Sequence, residues 1–344
     1  MKIVIIGSDE VYAMEHFFVQ HLSAFPDTEV RLLAMTKWIN EHISIFHKIE
    51  RRLFPNYNTL YRGLNQFIIQ QIELEKPDVI LVFKGMEIFP KTLNYLRQKN
   101  ILLTNFNPDH PFLITSKGSG FRNLIQSIRY YDLHFAYNQE VAKKIQDEYG
   151  VPTVFLPFGY ELPPQLKFSS SEEEIGAVCF IGTADAIRLE HINALLSAGI
   201  PVHIYGSDWL RFVKPNLHPQ LKVNAPVYNK DFWKIAQRYR LQLNIFRPHN
   251  IGSHNMRTFE MPAAGAIMLA PDSPEHRMFF EHGKEAFFYK DMSDMIQQAK
   301  NILALSKAAA DQIRHNARKR SLESDYSYQN RVKTVKDTLD KLWS

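Results

Sequence analysis

A single cysteine stands among 344 residues, which excludes an internal disulfide and fits a cytosolic location. It is Cys179, inside the apolar run "AVCFIG", where the sequence points to a small core hydrophobe rather than a nucleophile. No window offers the roughly eighteen uncharged apolar residues that a membrane-spanning helix needs. The opening "MKIVIIGSDE" has one Lys and a short apolar run that stops at Gly7 before acidic residues, not a small-residue cleavage site. It reads as a buried first strand and not as an export signal. There is no short tandem repeat, and no RNP, zinc-finger or basic-zipper pattern. The excess of 41 Lys and Arg over 36 Asp and Glu is spread along the chain. It suits anionic partners such as nucleotides or an anionic lipid surface better than nucleic acid.

What is present is a regular alternation of short β-rich runs with longer helical windows. "KIVIIG", "VRLLAM", "DVILVFKG", "ILLTNF", "LHFAYN" and "TVFLPFG" come before residue 160. A second series follows: "AVCFIG", "PVHIYG", "LKVNAPV", "LQLNIF", "AIMLA" and "AFFY". The pattern predicts an α/β fold of two doubly wound, Rossmann-like parallel-sheet domains facing a central cleft. Expected boundaries are 1–160 for the first domain, 161–176 for a Pro-, Ser- and Glu-rich linker, and 177–325 for the second domain. A terminal amphipathic helix, 326–344, packs back toward the first domain. The stretch 38–76 is too long for one crossover helix and mixes aromatics with His, Lys and Arg. It is either extra helices covering a sheet face or a basic, aromatic surface for a lipid-linked or polymeric acceptor and peripheral membrane contact.

The chemistry concentrates in "SHNMRTFEMPAAGAIMLA", residues 253–270. A helix is predicted from about Met256 to Ala264, ended by Gly265, and its first-turn amides suit a phosphate. Arg257 adds a planar cationic fork, and Glu260, three residues on, offers a carboxylate to a ribose diol. The simpler reading is an Arg257–Glu260 pair that only stabilises the helix. Gly206 in "IYGSDW" permits close backbone approach to a ligand. In the first domain, "FNPDHPF" puts Asp109 and His110 just after a predicted strand, as candidates for a general base. The alternative there is an Asx turn at Asp109 and a packing role for His110. Asp9 and Glu10 are rival bases. "KGSGFRN", 117–123, lacks the full dinucleotide fingerprint, so NAD binding is not expected.

"HNMRTFEMPAAGAIMLA" and "FFEHGKEAFFYKDMSDM", with "FLPFGYE", "CFIGTADAIRLEHINALLSAGIPVHIYGSDW" and "SYQNRVKTV", resemble GT-B glycosyltransferases of group 1, specifically the CgeB-like or spore-protein-like type. The resemblance spans roughly residues 100–340. It implies a nucleotide-sugar donor in the second domain, a hydroxyl acceptor at the first, and no metal or other cofactor, in keeping with the lack of a DxD motif. By that resemblance Glu260 is the ribose-binding glutamate, Asn255, Arg257 and Thr258 face the donor diphosphate, and Arg188 neutralises the leaving group. "NAPVY", ending at Tyr228, falls near the nucleobase position. A second glutamate common eight residues before the ribose-binding one is here Gly252, and His254 and His249 are near enough to take over its sugar contact. Surface polysaccharide or glycoconjugate synthesis, in the cytoplasm or at the inner membrane face, is the expected setting. A sugar-nucleotide epimerase, or a non-catalytic bilobal binding protein, are the alternatives.

Overall fold

The computed structural model describes residues 1–11, 13–113, 121–166, 174–214, 218–247 and 252–343. The chain divides into two compact units, Met1–Phe158 with Tyr328–Ser344, and Gly159–Ser327. Among the described residues no helix is long and apolar enough to cross a membrane.

The first unit is built on strands β1 (Lys2–Gly7), β2 (Glu29–Ala34), β3 (Val79–Phe83), β4 (Leu102–Asn107), β5 (Leu133–Ala136) and β6 (Thr153–Phe155), in the order β2-β1-β3-β4-β5-β6. All pairs are parallel, with Ile3 opposite both Val30 and Val79. Ile3–Ile6 and Val79–Phe83 are buried on both faces, which is why these strands read as continuous apolar runs. The connections reverse direction between β1 and β3, so the crevice at their carboxyl ends is the topological switch point.

Residues 38–76 form most of α2 (Met35–His42), α3 (Ile45–Leu53) and α4 (Thr59–Glu75). In α4, Leu60, Leu64, Ile68 and Ile72 recur every four residues and are all buried, the spacing of one helical stripe facing a sheet. Asn58 caps this helix by accepting the Tyr61 N–H at 2.9 Å. The terminal helix α15 (Tyr328–Trp343) belongs to this unit and packs on α1 (Glu15–Leu22). Tyr328 stacks on Phe17 at 4.8 Å, and Lys336 binds Asp27 at 3.0 Å and Asp340 at 2.7 Å.

The second unit has β7 (Ile175–Ile181), β8 (Val202–Tyr205), β9 (Leu221–Asn224), β10 (Tyr239–Leu243), β11 (Met268–Pro271) and β12 (Phe287–Tyr289), ordered β12-β11-β10-β7-β8-β9. Its switch point lies between β7 and β10. Cys179 is fully buried on β7, where burial pushes its thiol pKa up and leaves it inert. At this unit's edge the Tyr160 N–H donates to Tyr326 O at 3.2 Å, joining the segments by which the chain enters and leaves. Residues 167–173 of the expected linker lie outside the described residues.

Candidate functional site

The helix α11 (Met256–Ala264) occupies the predicted span and ends at Gly265 with φ 76°, a left-handed turn that glycine takes without a Cβ penalty. Its start is a capping box: the Asn255 side chain accepts the Thr258 N–H at 3.2 Å, and Thr258 Oγ1 accepts the Asn255 N–H at 3.2 Å. Asn244, just beyond β10, exchanges amide hydrogen bonds with Asn255 at 2.7 and 3.0 Å. Behind them His276, on α12 (Pro274–Phe279), is wholly buried. Burial holds its pKa at about 4 despite the Pro271 carbonyl. The neutral ring must donate from Nδ1 to Pro271 O at 2.7 Å, so Nε2 accepts the Thr258 hydroxyl at 2.8 Å. A relay from Pro271 through His276 and Thr258 therefore fixes the amino end of α11.

Three guanidinium groups gather at this switch point. Arg188 lies in the first turn of α8 (Ala186–Ser197), whose cap is Asp185. Its Nη1 donates to Thr183 O at 2.8 Å, and its plane lies 5.4 Å from the Phe180 ring centre. Burial lowers the Arg188 pKa to about 10; Asp185 opposes this, while Arg247 and Arg257 add like charge. Arg257 Nε donates to Ile181 O at 3.4 Å, which ties α11 to the end of β7. The same guanidinium lies 4.4 Å from the centre of the Phe232 ring on α10 (Asn229–Arg238) and donates to Glu260 Oε2. So the simple Arg257–Glu260 helix pair is present, and it engages one of the two carboxylate oxygens. Glu260 itself is 8% exposed. Three arginines, with Asp185 and Glu260 as their adjoining carboxylates, leave a positive surplus beside the amino end of α11, a combination that suits a diphosphate.

Other expected contacts fall elsewhere. His254 is fully buried, with Nδ1 2.6 Å from Glu275 Oε2 and its ring against Phe259 and Phe279. It anchors the loop and is not available to touch a sugar. The Thr258 side chain is likewise buried in the relay, so it sets the position of the backbone amides and does not itself face a diphosphate. A Cβ on Gly206 would sit 1.9 Å from Gly182 O. The close approach that requires glycine is thus to the loop after β7, not to a ligand. Gly252 has φ 82°, a conformation that strains a glutamate; the backbone at this position is built for glycine. His249 lies outside the described residues, as do residues 117–120. Tyr228 is 55% exposed and immediately precedes α10, one turn ahead of Phe232.

The first unit presents a second polar cluster at its own switch point. Asp109 pairs with Lys84 at 2.6 Å, and the Asx-type bond is made by Asn107, whose Oδ1 accepts the Asp109 N–H at 3.1 Å. His110 Nδ1 accepts the Phe112 N–H at 3.3 Å. This leaves the neutral ring's proton on Nε2, a donor and not a base at that atom. Glu15, which the sequence did not single out, is 8% exposed; its Oε1 accepts the Ser8 N–H at 2.8 Å. Burial raises its pKa, against the Ser8 hydrogen bond and Lys84. A Cβ on Gly7 would lie 2.6 Å from this carboxyl. Asn244, Arg247 and Lys84 carry no motif in the sequence; an Asn inside "LQLNIF" is the one visible signal. Among the described residues no group of three His, Cys, Asp or Glu is placed to hold a metal ion.

Residues 187–337 match the family described as glycosyl transferase-like. No curated protein matches the chain. Sucrose-phosphate synthase of Thermosynechococcus elongatus superposes with a TM-score of 0.73 at 12% identity, covering 100% of this chain and 99% of that one. HepE of Anabaena, in complex with UDP and glucose, gives 0.67 at 14% identity, covering 99% of both chains. UDP-GlcNAc 2-epimerase of Neisseria meningitidis, bound to UDP-GlcNAc, gives 0.62 at 12%, covering 99% of this chain and 100% of that one. At these identities the likeness carries the fold, which is GT-B: two successive Rossmann-like domains.

Proposed function

We propose that the protein is a glycosyltransferase that moves a sugar from a nucleotide-sugar donor, held on the second unit, to a hydroxyl acceptor. The observation that carries this reading is the placement of Arg257, in the first turn of α11, and Arg188 at the end of β7, close enough with Arg247 to add like charge to one another, with Glu260 one turn along from Arg257. Transfer breaks the bond between the anomeric carbon and the diphosphate oxygen while the acceptor oxygen bonds to that carbon. Negative charge grows on the departing diphosphate, and fixed guanidinium groups and helix-end amides stabilise it most in the transition state. Glu260 receives the ribose hydroxyls, and Tyr228 with residues 224–227 borders the base. UDP-sugars are the first donors to test, because HepE and the epimerase above are complexed with UDP or a UDP-sugar.

The acceptor proton goes to a base on the first unit. Asp109 suits that role better than His110, whose Nε2 already carries its proton in the neutral ring. The arginines take the place a metal holds in other transferases, so the reaction proceeds without one and a chelator leaves the rate unchanged. The stretches quoted above support a CgeB-like subfamily. They also support an acceptor among surface polysaccharides, lipid-linked sugars or glycoconjugates, reached in the cytoplasm or at the inner membrane face.

Epimerase neighbours favour a second reading, a sugar-nucleotide epimerase needing no separate acceptor. The transferase is preferred because the family match over residues 187–337 is glycosyl transferase-like. Nucleotide release from UDP-sugars, measured with and without candidate acceptors, separates them. Acceptor-dependent release supports transfer, whereas conversion of the donor without acceptor supports epimerisation.

A further inference from the structure

Helix α3 turns its apolar face outward. At about 100° per residue, Ile45, Ile49, Leu53 and Phe46 share one arc of roughly a quarter to a third of the helix. They are 78%, 56%, 68% and 64% exposed, and Phe54 and Tyr57 extend the patch. The polar face is the one held against the protein. Glu50 accepts the Thr59 N–H at 3.0 Å and also its hydroxyl, Arg51 lies 5.4 Å from the centre of the Tyr61 ring, and His47 completes the cap with Ser44. This inverts the usual order for a surface helix, and a contiguous apolar patch of this kind marks an interaction site.

Charge identifies the occupant. Lys48 and Arg52 are exposed along one border of the stripe, and Arg62 and Lys91 lie within 5.5 Å of the centre of the Tyr57 ring. Glu50, the one carboxylate in Ile45–Leu53, is spent on Thr59. An apolar stripe with Lys48 and Arg52 along one border and a single carboxylate, Glu50, turned toward Thr59 complements the acyl and phosphate layers of an anionic bilayer. A second copy would bring like charges face to face.

Position connects α3 to the proposed acceptor edge. Asn65 of α4 binds Glu87 O and the Phe89 N–H in the segment after β3, at 2.8 Å each, and Asn123 Nδ2 donates to Asn56 O at 2.5 Å. The start of α4, and α3 with it, therefore stands at the carboxyl edge of the sheet that also carries Ser8, Lys84 and Asp109.

We propose that α3 is a membrane-docking helix that inserts Ile45, Phe46, Ile49 and Leu53 into an anionic lipid surface, with Lys48 and Arg52 against lipid phosphates, and so presents the first unit's edge to an acceptor carried there. The statement about the acceptor rests on the transferase reading; docking itself does not. The test is flotation of the full chain with phosphatidylcholine vesicles and with phosphatidylcholine–phosphatidylglycerol vesicles. The expected result is binding to the anionic vesicles that weakens with salt. Ile49→Glu/Leu53→Glu abolishes it, and Lys48→Glu/Arg52→Glu lowers it at least about fivefold per cation. These are surface changes, and unchanged melting temperatures confirm that both variants fold. No binding of the wild type to either vesicle overturns the proposal, as does equal binding by Ile49→Glu/Leu53→Glu. A solution dimer dissolved by that variant also overturns it and assigns the face to a second copy. Failure of the transferase reading registers instead in nucleotide binding, which these variants leave intact.

Discussion

Acidification should unfasten α11 through one histidine. His276 is buried between Phe246 and Phe288, with ring centres 5.1 and 5.4 Å away. Its pKa is held at about 4 against an ordinary 6.5, mainly by burial, with His254 lowering it and Pro271 O, Glu275 and Asp272 opposing. The group is depressed on folding, so the unfolded chain binds the extra proton between these two values. Its contribution is fully present above pH 6.5 and lost as pH falls toward 4. The difference of about 2.5 pH units corresponds to about 3 kcal/mol. Urea unfolding at successive pH values reads this as a slope of about 1.4 kcal/mol per pH unit for each such proton. His134 in the first unit, also held at about 4 by burial, adds a second. In His276→Gln the slope over the window should fall by about one proton's worth. Parallel curves for wild type and variant would refute a buried, neutral His276 and the relay built on it.

Two further outcomes follow from the site. Arg188→Ala should lower kcat about 100-fold or more with a smaller change in KM, because its charge counts most against the developing diphosphate; steady-state kinetics with a UDP-sugar checks the split, and a change confined to KM would contradict it. Gly206→Ala should cost about 2–3 kcal/mol or more, since the new Cβ would lie only 1.9 Å from Gly182 O and the two backbones must part to make room for it. Chemical denaturation measures this, and a neutral result would show that the two loops are not in contact.

Local signals made α11 legible: a capping Asn, a cationic first turn, apolar spacing and a closing glycine all lie within eleven residues. The two sheets were legible for the same reason, since their strands are short β-branched runs between helical windows. What failed was tertiary. His254 looked like a loop histidine because Glu275 and Phe279, which bury it, come more than twenty residues later. Gly206 looked like a ligand contact because Gly182, its neighbour, is on another loop. Arg247 and Asn244 join Arg188 and Asn255 only once β7 and β10 lie side by side. In α3 the pattern announces an amphipathic helix but not which face points inward. That is decided by Glu50 and Arg51 meeting α4.

The proposed nucleotide-sugar site on α11 is tested directly by the thermal stabilisation of wild type and Glu260→Ala by UDP, GDP, dTDP, CMP and their sugar adducts, since a ligand that binds only the folded state raises its stability by mass action. A donor held by Glu260 gives a rise with UDP or a UDP-sugar that is lost or strongly reduced in Glu260→Ala. No shift with any nucleotide, or an equal shift in the variant, would contradict it.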